Sequence, residues 1–187
     1  RWVLVGSWAF ALSWTVAIAA TSDPGALARP LLNPHHEYLV FARGIASPAD
    51  FVSGFLENLS AYPTHVRGHP PGAVLSFWGL DRLFATDASF AIALLAIAAT
   101  AAPATLLAVR ALSDEGAARR VAVFAGMAPA VVWIGTSADA LLMAVTTWSV
   151  ASAALALRGH GRSPMLFAGL SGLAAGVALT LSYGSVV

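Results

Sequence analysis

The chain has 187 residues, of which 58% are hydrophobic and 10% are charged, and it carries a formal net charge of +1 and no cysteine. Soluble domains carry about 25% charged residues, so this composition excludes an ordinary soluble domain, a disordered chain and a disulfide scaffold. The near-neutral charge predicts no nucleic-acid partner. We interpret the sequence as that of an integral membrane protein. Because it starts at Arg1 and stops at Val187 within an uncharged stretch, we expect an N-terminal fragment of a longer protein.

Five stretches are apolar and long enough to cross a bilayer as helices. A spanning helix needs about 20 predominantly apolar residues, because backbone polar groups in hydrocarbon must bond within the helix. The stretches are residues 2–20, 88–112, 121–138, 140–157 and 163–187. Pro103 should kink the second, and Gly172 and Gly176 in the last favour close helix packing. The predicted fold class is an all-α integral membrane protein with about five transmembrane helices.

The arginines predict the orientation of these helices. Six of the ten lie in three short stretches next to the predicted spans: Arg1, Arg110, Arg119, Arg120, Arg158 and Arg162. Short loops rich in arginine stay in the cytoplasm. All three stretches fall on that side only if residues 71–85, which are apolar but short, do not cross. We therefore expect residues 71–85 to lie at the outer face and the whole of residues 21–87 to be external.

Residues 21–87 connect the first two spans and hold most of the polar chemistry, with six of the nine acidic residues and four of the five histidines. A connection this long is expected to carry short elements of its own. The Ser-Pro pair at residues 47–48 is an N-cap followed by a first-turn proline, and it predicts an amphipathic helix reaching Leu59. Residues 37–45 are predicted to form a second. Both are suited to lie in the membrane interface as juxtamembrane helices.

Two acids flank predicted spans on the external side, and each has a structural and a functional interpretation. Asp23 stands in Ser-Asp-Pro-Gly at residues 22–25, which is ordinary turn chemistry. A carboxylate just beyond a helix C-terminus, however, faces the negative end of the dipole, which a nearby partner, metal or substrate would explain. Asp139 follows Thr136 and Ser137 at the start of a span, so helix-capping chemistry is a strong alternative to a functional role.

The most distinctive stretch is residues 65–72. Pro70 biases His69 away from helix, so the run is predicted to be extended, which places His65, Arg67 and His69 on one side. Three cationic or hydrogen-bonding side chains that converge at an outer membrane surface suit a lipid phosphate or pyrophosphate. A solvated loop whose prolines start the next helix is an equally good interpretation.

A second histidine cluster consists of His35 and His36 followed by Glu37. Imidazole and carboxylate groups are normal ligands of zinc and manganese. Adjacent residues on one helix do not face one point, so at most two of the three would bind together. His36 and Glu37 are therefore candidate ligands of a divalent metal (Mg, Mn or Zn), and no cofactor at all is the alternative.

The order of these features resembles the GT-C glycosyltransferases, which are multi-pass enzymes that use polyprenyl-phosphate sugars. The likeness is closest to the branch with protein mannosyltransferases and the lipid A aminoarabinose transferase, and to uncharacterised actinobacterial membrane proteins. Three features carry it: Asp23 just after the first span, a His-Pro-Pro-Gly motif at residues 69–72, and Asp139 on the second external connection. The sequence departs from the family where Gly72 replaces the usual leucine and where Pro24, rather than a second acid, follows Asp23.

The resemblance implies a function and a site. The enzyme would transfer a sugar, with inversion, from a polyprenyl-phosphate donor to a glycan, lipid or protein acceptor on the outer face of the plasma membrane. Asp23 would be the catalytic base and Asp139 the second external acid. Because the chain has no lysine, arginines and histidines would bind the donor phosphate, namely Arg67, His65, His69 and Arg43. A transporter and a non-catalytic membrane scaffold are the alternatives.

Overall fold

The computed structural model describes residues 2–21, 23, 25–128, 136–159 and 163–186. It is 77% helical, and no strand occurs in the described residues. The helices, in chain order, are α1 (Trp2–Ala20), α2 (Leu39–Arg43), α3 (Pro48–Ser53), α4 (Thr64–Arg67), α5 (Pro71–Asp81), α6 (Asp87–Ala99), α7 (Ala101–Leu112), α8 (Glu115–Met127), α9 (Ala138–Arg158) and α10 (Ser163–Leu181). Short 3-10 helices occupy Pro30–Leu32, Leu59–Ala61 and Tyr183–Val186.

Four helices in the described residues are long and apolar enough to span a membrane: α1, α6 with α7, α9 and α10. They correspond to four of the five predicted stretches, and they identify the chain as a membrane protein. The remaining stretch, residues 121–138, lies partly outside the described residues, since α8 ends at Met127 and residues 129–135 are not described.

The second long helix is interrupted near the predicted proline. Pro103 lacks the N–H that would bond to the carbonyl of Ala99, and the helix breaks next to that carbonyl, at Thr100. The Thr100 hydroxyl accepts a hydrogen bond from Trp148 Nε1 of α9 at 3.0 Å. The prediction of a kink is confirmed, and a side chain from a neighbouring helix bonds to the residue where it occurs.

The helix bundle has two ends, which differ in the residues that meet there. At one, which we call the loop end, residues 25–86 contact the first turns of α6 and α9, through Arg43 with Asp87 and through Glu37 with Ala138. At the other, the arginine end, Arg158 donates to the carbonyl of Ser113 at 2.7 Å. The chain therefore runs from the loop end to the arginine end along both α6–α7 and α9.

Segment 25–86 folds as a small helical layer with its own core. Leu31, Leu39, Val74 and Phe77 are fully buried there, and Phe90 of α6 joins them at 1% exposure. The core forms because α2 and α5 turn their apolar residues toward each other and toward α6. These short helices are thus packed elements rather than separate amphipathic segments.

Several predicted bounds in this layer are wrong. Ser47 does cap α3, since its side chain accepts from the N–H of Asp50 at 3.2 Å. The helix ends at Ser53, short of Leu59, because Gly54 terminates it and the chain continues in turns. The predicted helix over residues 37–45 is limited to α2, and α5 ends at Asp81.

The last span differs from its prediction in length and in packing. Helix α10 ends at Leu181, short of residue 187. Gly172 and Gly176 are exposed, and a Cβ added at either would meet no atom of the described residues within 4 Å. The glycine pair therefore does not mediate packing within the described chain. Helices α9 and α10 are instead joined by Ser149, whose hydroxyl lies 3.0 Å from the carbonyl of Ser171.

Candidate functional site

Four side chains of the loop layer form a ring cluster, consisting of His36, Tyr38, His65 and His69. The rings of His65 and His69 stack with centroids 5.5 Å apart. Tyr38 meets these two rings edge-on at 5.9 and 6.0 Å, and His36 meets His65 at 5.9 Å. Tyr38 is 3% exposed, and burial holds the pKa of its hydroxyl well above its usual range. The cluster combines a buried phenol with three imidazoles at the loop end.

His65 and His69 of this cluster come together through a helical turn, which corrects the prediction of an extended run. His65 belongs to α4, and His69 follows four residues later, so both lie on one side of a helical turn. His69 Nδ1 lies 3.0 Å from the carbonyl oxygen of His65. Arg67 is exposed, and its guanidinium makes no hydrogen bond or ion pair with a described residue. The predicted extended run, with His65, Arg67 and His69 on one side, is therefore wrong.

Glu37 stands beside the ring cluster and caps helix α9. Its Oε2 accepts a hydrogen bond from the backbone N–H of Ala138 at 3.2 Å, across 101 residues of sequence. Burial raises the pKa of the Glu37 carboxyl to about 7; the hydrogen bond from Ala138 lowers this pKa, and the charge of Asp139 raises it. Glu37 therefore exchanges its proton near neutral pH, as a general acid or base does.

Asp139 is exposed in the first turn of α9, and its carboxylate accepts no hydrogen bond from a described residue. Its charge acts on His65 as well as on Glu37. Burial, His69 and His36 lower the pKa of His65, while Asp139 raises it. Asp139 also lines a narrow recess with Tyr38 and His69. The second external acid of the sequence prediction is therefore a neighbour of the ring cluster.

A wide groove between α9 and α10 begins at Asp139. Its volume is about 740 Å³. Leu142, Met143 and Leu179 supply apolar walls, and Ser182 lies at the same end as Asp139. A polar site thus opens directly into an apolar groove along two long helices.

Asp23, the predicted base, lies in a separate arrangement. Its Oδ2 pairs with Arg29 at 2.6 Å, and its Oδ1 accepts from the N–H of Gly25 at 2.7 Å. The hydrogen bond from Arg29 is the largest influence on the pKa of Asp23 and lowers it. The described contacts of Asp23 are confined to its own turn, as the turn interpretation of the sequence predicts.

Arg43, one of the predicted phosphate ligands, is held by two acids. Its guanidinium bonds to both oxygens of Asp81, at 3.0 and 2.7 Å, and to Asp87 at 2.6 Å. These bonds raise its pKa further above its ordinary value. The arrangement ties α2 to the end of α5 and to the first turn of α6. Of the two predicted arginines, Arg67 is the one whose guanidinium is free to meet a ligand.

The predicted metal ligands, His36 and Glu37, both contact other groups of the protein. No three histidine or acidic side chains converge as ligands within the described ranges. The Glu37 carboxylate is directed at Ala138, and His36 faces the ring of His65. Binding of a divalent metal by His36 and Glu37 stays a prediction.

Two members of this site lack a clear sequence signal. Tyr38 reads as an apolar helix position, and nothing around it indicates contact with two histidines. The cap that Glu37 makes on α9 joins residues 101 positions apart. The one signal for Glu37 is the rarity of acidic residues, since a chain with only nine of them keeps few without a structural or functional role.

Comparisons with protein-family models, curated proteins and solved structures give no match.

Proposed function

We propose that this protein is a GT-C-type membrane glycosyltransferase, which transfers a sugar from a polyprenyl-phosphate donor to an extracytoplasmic glycan, lipid or protein acceptor. The observation that carries the proposal is the position of Glu37, Asp139 and the ring cluster at the mouth of the α9–α10 groove. A donor with a polar phosphosugar and a long apolar tail needs these two environments side by side.

The proposed reaction needs one group that accepts a proton and others that stabilise the leaving phosphate. The acceptor hydroxyl would lose its proton to a carboxylate as its oxygen bonds to the sugar carbon, and the bond from that carbon to the phosphate oxygen would break on the opposite face. The leaving polyprenyl phosphate would keep the electron pair. Arg67, His65 and His69 are the proposed phosphate ligands, and Arg67 is the one with an unpaired charge.

Two carboxylates compete for the role of base. Asp23 corresponds to the family's acid after the first span, but its pairing with Arg29 lowers its pKa and weakens it as a base. Burial raises the pKa of Glu37 to about 7, and Glu37 interacts with the charge of Asp139, which also acts on His65. We therefore extend the proposal to Glu37 as the base, with Asp23 shaping the turn after α1.

The proposed topology places the site on the outer face of the plasma membrane. We propose five spans, the additional one being the predicted stretch of residues 121–138, which lies partly outside the described residues. Arg110, Arg119, Arg120 and Arg158 all lie at the arginine end, which supports a cytoplasmic location for it. In the loop layer Leu56 and Leu83 are 78% and 73% exposed, which supports contact with the membrane interface.

The distribution of charge favours this proposal over a transporter. Transporters place ionisable side chains near the middle of their spans. In the four long helices of the described chain, the charged residues lie in first or last turns: Asp87, Arg110, Asp139 and Arg158. Chemistry at one membrane surface needs no charge in the helix interiors.

The experiment is transfer of a radiolabelled sugar from a polyprenyl-phosphate donor by membranes containing the protein in its native length. We expect transfer by the wild type, loss of at least about a hundredfold in kcat for Glu37→Gln, and a smaller loss for Asp23→Asn. Glu57→Gln, which changes an exposed acid of the same layer, is the control. A loss of about a hundredfold in kcat for Asp23→Asn, with little loss in Glu37→Gln, would assign the role of base to Asp23 instead. No transfer or donor hydrolysis by the wild type would overturn the proposed function, and activity that resists EDTA would exclude the predicted divalent metal.

A further inference from the structure

A second groove lies at the arginine end, between α7 and α9. Its volume is about 440 Å³, and Ala108, Val109, Leu112 and Val150 line it. Leu112 and Val150 are 64% and 58% exposed, so the groove is open along the outside of the bundle. It shares Thr146 and Val150 with the α9–α10 groove, which begins at the loop end, but Ala108, Val109, Leu112 and Ser113 line this groove alone.

The hydroxyl groups in this groove do not make it polar. Thr105 donates to the carbonyl of Ala101 at 2.9 Å, Thr146 to that of Leu142 at 2.8 Å, and Thr147 to that of Met143 at 2.6 Å. Each hydroxyl proton is thus used within its own helix, one turn back. The walls present methyl and methylene groups, which suit a hydrocarbon chain.

A guanidinium lies at the end of the groove. Ser113 lines the groove, and its carbonyl oxygen accepts a hydrogen bond from Arg158 Nη2 at 2.7 Å. An arginine has five N–H donors, and Arg158 makes no ion pair with a described acid. Two of its neighbours at this end, Arg110 and Arg119, instead share Glu115, at 2.8 and 3.1 Å. Arg158 therefore keeps a positive charge that no described acid compensates, next to an apolar groove.

From this juxtaposition we propose that the α7–α9 groove binds an anionic glycerophospholipid of the leaflet at the arginine end, with an acyl chain in the groove and the headgroup phosphate on Arg158. The apolar walls match the chain, and the free donors of Arg158 match phosphate oxygens. The proposal does not depend on the proposed sugar transfer, since the headgroup position at Arg158 and Ser113 lies at the opposite end of the bundle from Asp139.

The test measures lipid retention by native mass spectrometry, with the full chain titrated with phosphatidylglycerol, phosphatidylcholine or a polyprenyl phosphate. We expect the wild type to bind phosphatidylglycerol more tightly than phosphatidylcholine. Arg158→Gln should weaken binding of phosphatidylglycerol about fivefold. Arg119→Gln is the matched control, because it removes the same charge at the same end from a side chain already paired with Glu115. Leu112→Trp, at a residue that lines this groove and not the α9–α10 groove, narrows it and should weaken binding of both lipids, while Val123→Trp, at a 60% exposed position of α8, should not.

The outcomes separate a defined site from general attraction to anionic lipid. Equal losses in Arg158→Gln and Arg119→Gln would overturn the proposal, as would unchanged binding in Leu112→Trp. Preference for a polyprenyl phosphate over phosphatidylglycerol, lost in Arg158→Gln, would also overturn it by assigning the groove to a different lipid. The substituted side chains are exposed, so the variants should fold, and their circular dichroism should match the wild type.

Discussion

The carboxylate of Glu37 accepts a hydrogen bond from the backbone N–H of Ala138, 3.2 Å away and 101 residues later in the chain. This bond satisfies one of the N–H groups that every helix leaves unpaired at its start, and it places an acid of the loop layer at the positive end of the α9 dipole. The Glu37 side chain therefore joins the loop layer to α9 and also has a pKa of about 7.

Glu37 should make the stability of the fold depend on pH. Its pKa rises from 4.5 to about 7 on folding, so the native state holds a proton that the unfolded state has released. Stability contributed in this way is present below pH 4.5 and is lost as the pH rises to about 7. The melting temperature of the protein in nanodiscs should fall over that range, and less so in Glu37→Gln, whose amide oxygen keeps the acceptor.

The difference in pH-dependent melting between the wild type and Glu37→Gln measures the contribution of Glu37 alone. The pKa of His65 is lowered on folding, so its contribution to stability has the opposite sign and grows as the pH rises. Glu57→Gln, at an exposed position, should melt with the wild-type pH profile. An unchanged profile in Glu37→Gln would show that this carboxyl is ionised in the folded protein throughout.

Gly72 should be intolerant of any side chain. A Cβ at Gly72 would lie 2.7 Å from both Cβ and Oγ1 of Thr180, and closer still to the carbonyl oxygen of Thr180. Gly72→Ala should therefore push α5 away from the end of α10 and cost about 1–3 kcal/mol of stability. Gly79→Ala in the same helix meets nothing within 4 Å, and it should be neutral or stabilising by up to about 1 kcal/mol.

Thermal unfolding of the two alanine variants checks this prediction directly. Equal melting temperatures would mean that α5 and α10 do not approach each other so closely. The result also bears on the family resemblance, because the leucine usual at this position in GT-C enzymes would not fit against Thr180 here.

Arg43 and Arg67 should respond differently to substitution. Arg43→Lys loses the two parallel bonds to Asp81, because an ammonium lacks the planar fork of a guanidinium. It should lower stability by about 2 kcal/mol. Arg67→Gln changes an exposed side chain without a described partner, so the melting temperature should stay within about 1 °C of the wild type.

Donor binding gives the second half of this comparison. Under the proposed function, Arg67→Gln raises the KM for the polyprenyl-phosphate sugar, whereas Arg43→Lys reduces the amount of folded enzyme and leaves that KM unchanged. A raised KM in Arg43→Lys at wild-type stability would assign the phosphate to Arg43.

The two ends of the bundle should be accessible from opposite sides of the membrane. The chain has no cysteine, so single cysteines can be introduced without background. Ser60→Cys in the loop layer should react with a membrane-impermeant maleimide added outside cells, and Ser113→Cys should react only after the membrane is opened. Labelling of both positions from outside would contradict the separation of the ends by membrane-spanning helices.

Local patterns account for the elements that the sequence predicts well. Length and apolar content are enough to identify the four long helices, because a bilayer requires about 20 apolar residues per span and accepts little else. The cap at Ser47 and the break near Pro103 depend on neighbours within four residues. Residues 64–69 were the exception, since Thr64–Arg67 forms one helical turn that changes which side chains share a face.

The sequence by itself determined that this is a membrane protein with its few charges kept near helix ends. Only the tertiary structure decided which polar groups meet: Glu37 with Ala138, Arg43 with Asp81 and Asp87, and Tyr38 with His65 and His69. The physical reason is that these contacts join short helices whose relative positions follow from packing around Val74 and Phe77, and no periodicity within one segment encodes the distance between two others.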